Sequence, residues 1–180
     1  KCKVIILSSS DNKRDIDKGY LLLDQRTGSH TLSPHNGNWF IAGMKRIYKI
    51  PLRSAKDGKL LFDGKNAQVF IDDITDGKVE RLWNSWRQGV LGMREDSKGN
   101  LYVVYTIPGR SAGIGHSSDI KEVNLVKYDK SGSRLWSVGT KASSFAKPGE
   151  IYNPWIMAGL IDDRLIGISD EAGGTIHFYD

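Results

Sequence analysis

The stretch NLVKYDKSGSRLW, Asn124 to Trp136, runs in an alternating apolar and polar pattern, breaks at Asp129-Lys130-Ser131-Gly132, and then resumes the alternation. A period of two is the signature of a half-buried strand, and an Asp/Ser/Gly cluster between two such runs is a tight turn. The phrase recurs in worn form as GYLLLDQRTG (Gly19 to Gly28), and TIHFYD (Thr175 to Asp180) matches its first half. Repetition of a strand-turn-strand phrase points to an architecture of repeated sheets.

A second phrase recurs beside it. GNWFIAG (Gly37 to Gly43) and GNLYVVY (Gly99 to Tyr105) share a Gly-Asn turn followed by an apolar strand, and DDRLIGIS (Asp162 to Ser169) fits the same slot. The apolar starts are 62 residues apart from Trp39 to Leu101, and 64 from Leu101 to Leu165. Each is followed by another strand: RIYKIP, NLVKYD and TIHFYD. KVIIL and GYLLLD form a still earlier pair. The Asp-Gly pairs at 57–58, 63–64 and 76–77 lie between short alternating runs and signal further hairpins. Helix signals are nearly missing, the best being SSDIKEVNLVKYD with its Ser or Asp cap.

The expected fold is therefore all-β, made of β-propeller blades of four antiparallel strands in an incomplete ring. Residues 1–180 read as one propeller segment with units beginning near 4, 39, 101 and 165. Two strands in the last unit lead to the expectation that the natural chain continues past Asp180 and before Lys1, or that another polypeptide completes the ring.

GEIYNPWIMAGLIDDRLIGISDEAGGTIHFY (Gly149 to Tyr179) resembles the NHL type of propeller repeat, with Gly149, Ile151, Pro154, Leu165, Ile166, Asp170, Ile176 and Phe178 in its slots. Leu160 departs from the Asp that the family favours, and an extra residue precedes Asp170. The preceding unit keeps Asp96, Gly99, Leu101, Tyr102 and Val103 but has Val90 in place of the Pro. YDKSGSRLW is similar to the repeat of quinoprotein propellers, in which a Trp packs between neighbouring blades. The resemblance implies a propeller and leaves function open, since such propellers include lyases, lactonases, sensor domains, RNA binders and protein scaffolds.

Composition narrows the classes. With 39% apolar and 26% charged residues over 180 positions, the chain is neither disordered nor membranous, and its apolar runs of four or five residues are too short for a membrane span. One cysteine, Cys2, makes no internal disulfide and no Cys-based zinc or haem motif. It leaves the compartment open, and a secreted or periplasmic setting is the expectation carried forward. The net charge of +5 is concentrated in residues 1–54, which hold ten Lys/Arg against four Asp. These charges alternate with apolar positions rather than clustering, which disfavours nucleic acid as a partner.

In propellers the loops at the channel mouth carry function. Segments leading into the three apolar strands, SHTLSPH, SWRQGVLGM and NPWIMAG, are in register across the units. They make His30, Arg87, Gln88, Asn153 and Trp155 the expected ligand-facing set. The longest insertion, TIPGRSAGIGHSSDIKE (Thr106 to Glu122), adds Arg110 and His116. Its Ser117 and Asp119 tempt a triad with His116, but a Gly-rich loop provides no rigid frame for one. The four histidines fall at different offsets, so no ring of ligands forms, and alternation sets His177 toward water. DNKRDIDKG and DDITDG lack the alternating oxygen ligands and closing Glu of a calcium loop and read as turns. Trp83, Trp86 and Trp136 follow hairpin turns and are expected to fill space between blades.

The leading function is a non-catalytic binding or scaffold module that recognises a protein or small polar ligand at the mouth. The alternative is part of a propeller enzyme, a lyase, lactonase or quinoprotein dehydrogenase, with a metal or cofactor near the axis. The sequence identifies no cofactor and no catalytic residue.

Overall fold

The computed structural model describes residues 2–5, 20–23, 30–33, 36–42, 45–54, 60–62, 66–78, 89–108, 120–138, 154–161, 163, 165–170 and 175–179. Within them every regular element is a strand, and every strand pairing is antiparallel. β1 (Cys2–Ile5) and β2 (Tyr20–Leu23) form a ribbon. β3 (His30–Ser33), β4 (Asn38–Ala42), β5 (Ile47–Ser54), β6 (Leu60–Phe62) and β7 (Gln68–Ile71) form the second sheet. β8 (Gly89–Glu95), β9 (Leu101–Pro108), β10 (Ile120–Tyr128) and β11 (Arg134–Val138) form the third, and β12 (Pro154–Ile161), β13 (Leu165–Asp170) and β14 (Thr175–Tyr179) the fourth. None of these sheets closes on itself. No helix among the described residues is long and apolar enough to cross a membrane.

The strand count differs from the sequence reading in a consistent way. The lead-in segments are themselves strands, β3, β8 and β12, paired to β4, β9 and β13. The phrase at Asn124–Trp136 is thus the third and fourth strands of its sheet rather than the second and third, and the last sheet has three strands rather than two. Gly-rich lead-ins such as GVLGM hide their period because a register shift between Val90 and Gly92 interrupts the pairing. Ile120 to Val123 of the segment read as a possible helix belong to β10, and its cap residues Ser117, Ser118 and Asp119 lie outside the described residues.

The Asp-Gly signals fare unevenly. Asp57-Gly58 falls in the connection between the paired strands β5 and β6 and, like Asp63-Gly64, lies outside the described residues. No hairpin joins β6 to β7, because both pair with β5: β7 takes Ile47–Lys49 and β6 takes Leu52–Ser54. Asp76 and Gly77 have the positive φ of a tight turn, 52° and 76°, in a turn that follows β7.

Alternation along β9 explains its continuous apolar sequence. Leu101, Val103, Tyr105 and Ile107 point into one core cluster with Phe40, Ala42, Ile47, Ile71 and Ile74 of the β3–β7 region. Tyr102 and Val104 point the other way, into a cluster with Ile166 and Ile168 of β13. A strand covered on both faces has no solvent side and so reads as an unbroken hydrophobic run. Trp136 packs against this second cluster with its ring edge-on to Tyr102 of the same sheet, centroids 6.1 Å apart. Trp83 and Trp86 lie outside the described residues.

The repeat shows itself in backbone conformation as well. Gly37, Gly99 and Asp163, each two residues before Trp39, Leu101 or Leu165, have φ of 61°, 86° and 56°. A left-handed residue turns the first strand of each sheet into the second. Asp serves where Gly stands in the other two because its short polar side chain tolerates that region.

Candidate functional site

Three turns meet laterally at one end of the first strands. Asn36 donates its side-chain amide to the Asp96 carbonyl at 3.0 Å, and Asn38 donates to Glu95 Oε1 at 3.1 Å. Ser97 donates its backbone amide to Asp163 Oδ1 at 3.0 Å and its hydroxyl to Oδ2. β8 touches β3 on one side and β12 on the other. Because their turns are tied at the same end, β3, β8 and β12 run side by side in the same direction.

Asp96 shows how a nearly inaccessible carboxylate, 1% exposed, is held at this end. Its oxygens accept from the Lys98 amide (3.0 Å), the Asn100 amide (2.7 Å) and the Asn100 side chain (2.7 Å), with the Lys127 ammonium 4.0 Å away. The same Asp-x-x-Gly-x turn recurs at Asp129, which accepts from the Ser131 amide and hydroxyl and the Ser133 amide at 2.8, 2.5 and 2.9 Å. Hydrogen bonds from Ser131 and Ser133 hold the Asp129 carboxyl below its ordinary value. Glu95 is different. It is buried beside Asp96, and its Oε2 has no hydrogen-bond partner. A buried carboxylate oxygen of this kind retains capacity to accept a hydrogen bond.

The DDITDG segment is a third aspartate-capped turn. Asp73 accepts from the Thr75 amide and hydroxyl, the Gly77 amide and the Lys45 ammonium, at 2.8, 2.6, 3.3 and 2.8 Å. Burial pushes its carboxyl up, but the bonds from Lys45 and Thr75 outweigh burial and leave it below the ordinary value. These contacts occupy the carboxylate as a turn cap. Arg46 pairs with Asp72, and Lys49 lies over the Phe40 and Phe70 rings. Among the described residues no group of three His, Cys, Asp or Glu side chains comes together in a way that could hold a metal ion.

The mouth set of the sequence analysis is placed in part. His30 is the first residue of β3, opposite Ile41, and Trp155 is the second of β12, at the irregular pairing between Pro154 and Ile156. Both therefore lie near the starts of the first strands that flank β8, at the end away from the Asn36–Asp163 row. Arg87 and Gln88 precede Gly89 of β8 and Asn153 precedes Pro154 of β12, while Arg110 and His116 belong to the insertion; all five lie outside the described residues. Ile176 and Phe178 are exposed rather than inward-facing, and the side chain of His177, opposite Ile168 in the register, lies outside what the structure describes.

Sequence reasoning missed Asn36, Asn38, Glu95 and Asp163 as a linked polar row. The recurring left-handed turn position was its one visible signal; the partners lie 57 to 66 residues apart along the chain. No known family profile matches the chain, and no curated protein matches it in sequence.

Proposed function

We propose that the chain is a run of β-propeller blades acting as a non-catalytic binding module, which takes a protein or small polar ligand at the starts of its first strands. The observation that carries this is the side-by-side, co-directional packing of β3, β8 and β12, each the first strand of its own antiparallel sheet. Such packing gathers successive sheets around their first strands, as blades gather around an axis.

His30, Arg87, Gln88, Asn153 and Trp155, with Arg110 and His116 from the insertion, combine cationic, amide and aromatic groups. That chemistry favours an anionic or amide-rich ligand with a flat apolar face. Titration of isotope-labelled protein with galacturonate and with a short oligoglutamate peptide tests the reading. Amide shifts are expected at His30, Gly89 and Trp155 rather than at Gly37, Gly99 and Asp163. Trp155→Ala and Arg87→Ala each weaken binding by about 1 kcal/mol or more, as aromatic and Arg anchors do. Unchanged binding by both variants, with losses only on replacing Arg110 or His116, would defeat the mouth assignment. The unpartnered Glu95 oxygen favours the alternative, an enzyme holding a metal or cofactor near the axis. Native mass spectrometry showing a stoichiometric bound metal or cofactor would establish that alternative.

A further inference from the structure

Asn36 is exposed and is followed by Gly37, at the corner that carries β3 into β4. No other asparagine in the chain precedes a glycine. The pair has a chemistry of its own, because covalent connectivity alone puts the backbone nitrogen after an asparagine in position to close a succinimide ring on the asparagine Cγ. A side chain on the following residue shields that nitrogen, and glycine has none. Gly37 is held to its residue type by a left-handed φ of 61°. A Cβ built on it would meet only the Leu52 carbonyl oxygen within contact range, at 3.6 Å, so the corner is uncrowded.

The same side chain is a tie between two sheets. Asn36 Nδ2 donates to the Asp96 carbonyl at 3.0 Å, and with the bond from Asn38 to Glu95 Oε1 at 3.1 Å it fastens this corner to the end of β8. From the other side the Leu52 amide donates to the Gly37 carbonyl at 2.7 Å. Nδ2 is the leaving group when the ring closes, so the bond to Asp96 holds the reaction back in the folded chain and is destroyed by it. The rate in the native protein is therefore set by local opening of the corner.

We propose that Asn36-Gly37 is a self-modification site whose product loosens the seam between the β3–β7 and β8–β11 sheets. The Gly37 nitrogen gives up its proton and attacks Asn36 Cγ, the Cγ–Nδ2 bond breaks, and a proton returns to the departing nitrogen, which leaves as ammonia. Water then opens the succinimide at either carbonyl, giving aspartate or isoaspartate at position 36. Either product puts a carboxylate where the donor to the Asp96 carbonyl stood, in a corner that already holds the buried Glu95 and Asp96 side chains. Isoaspartate also lengthens the backbone beside the Leu52–Gly37 bond.

Peptide mapping by mass spectrometry of the intact chain, incubated at mildly alkaline pH, tests the chemistry. Conversion of amide to acid is expected at Asn36 ahead of every other asparagine, faster with rising hydroxide, and faster again in urea. A native chain that stays unconverted at Asn36 while its urea-unfolded counterpart converts fully would overturn the site. Asn36→Gln keeps an amide but closes only a larger, slower-forming ring, so it should stay unmodified, and acid formation there at the parent rate would overturn the mechanism. The consequence is read from stability. Asn36→Asp is expected to reduce the folding equilibrium constant by about fivefold or more, through a lost inter-sheet bond and a carboxylate facing a carbonyl, and the converted parent, separated by ion exchange, should show a loss at least as large. Parent-like stability in both would overturn the loosening of the seam. Should Asn36→Asp not fold, the melting of the converted parent still decides.

Discussion

The β8–β11 and β12–β14 sheets are built to the same opening pattern, yet one is covered on both faces and the other on one. In the first, Val103 and Val104 turn opposite ways and both are fully buried, one against the β3–β7 region and one against β13. In the second, Ile166 and Ile168 are buried toward β9 and β10, while Ile176 and Phe178 on the opposite face are 56% and 57% exposed. An apolar residue on a strand is thus a core residue only where a neighbouring sheet arrives. The difference teaches that the unit of stability is the seam between sheets, not the sheet.

The largest effect expected from that contrast is at the seams. Val103→Asp and Ile166→Asp each bury an unpaired charge and should cost more than about 4 kcal/mol, enough to abolish cooperative unfolding by circular dichroism. Soluble, sharply melting proteins at both positions would show that the seams are wrongly placed.

Next comes the close approach of two sheets at Gly132. A Cβ there would lie 2.4 Å from the Phe70 carbonyl oxygen, in a residue with φ of 88°. Gly132→Ala should cost about 2–4 kcal/mol from backbone overlap and left-handed strain together. Gly77, at φ 76° with open space around its Cβ position, has only the strain, and Gly77→Ala should cost about 1 kcal/mol. Equal losses by urea denaturation would mean that the turn at Gly132 does not press on β7.

The paired aspartate turns sharpen the comparison of buried with exposed. Asp96→Ala strands three donors in a nearly inaccessible turn and should cost about 2–3 kcal/mol, with a clearly smaller loss for Asp129→Ala at the surface. The carboxyls of Asp73 and Asp129 both lie below their ordinary values. Their stabilisation is present above the unfolded carboxyl pKa of about 3.9 and is lost as pH falls through the lower folded values. Hydrogen exchange at Thr75 and Ser131 should accelerate relative to Val103 as pH is lowered below about 4. An unchanged ratio would remove the carboxylates from the account of these turns.

The smallest effects belong to the uncovered face. Ile176→Asp and Phe178→Asp should change stability by no more than about 0.5 kcal/mol, because neither removes a buried contact. A large loss at either would show that this face is covered in solution.

The sequence carried the all-β class through its period-two runs, and the repeat through turns whose chemistry is local. Gly37 and Gly99 were visible because each opens a Gly-Asn turn, whereas Asp163 showed only as part of a stretch that fits the same slot, and its left-handed conformation came from the structure. Strand numbering was not legible. β8 and β12 contain bulged pairings and internal glycines that break alternation, so they read as lead-ins rather than as the first strands. The candidate site was legible only at its chain positions. His30 and Trp155 do lie near the starts of β3 and β12, the first strands on either side of β8, but nothing local distinguishes Glu95, with its unpartnered oxygen, from Asp96 beside it.

By itself the sequence determined where strands and corners form, since backbone conformation at Gly, Asp and alternating apolar positions is decided within a few residues. Only the tertiary structure decided which faces are covered, which carboxylate is satisfied, and which first strands meet. Those outcomes depend on Asn38 reaching Glu95, Ser97 reaching Asp163 and Phe70 reaching Gly132, across 57, 66 and 62 residues of chain. Burial is a property of a residue and its distant neighbours together, and no periodicity in one strand encodes what packs against it.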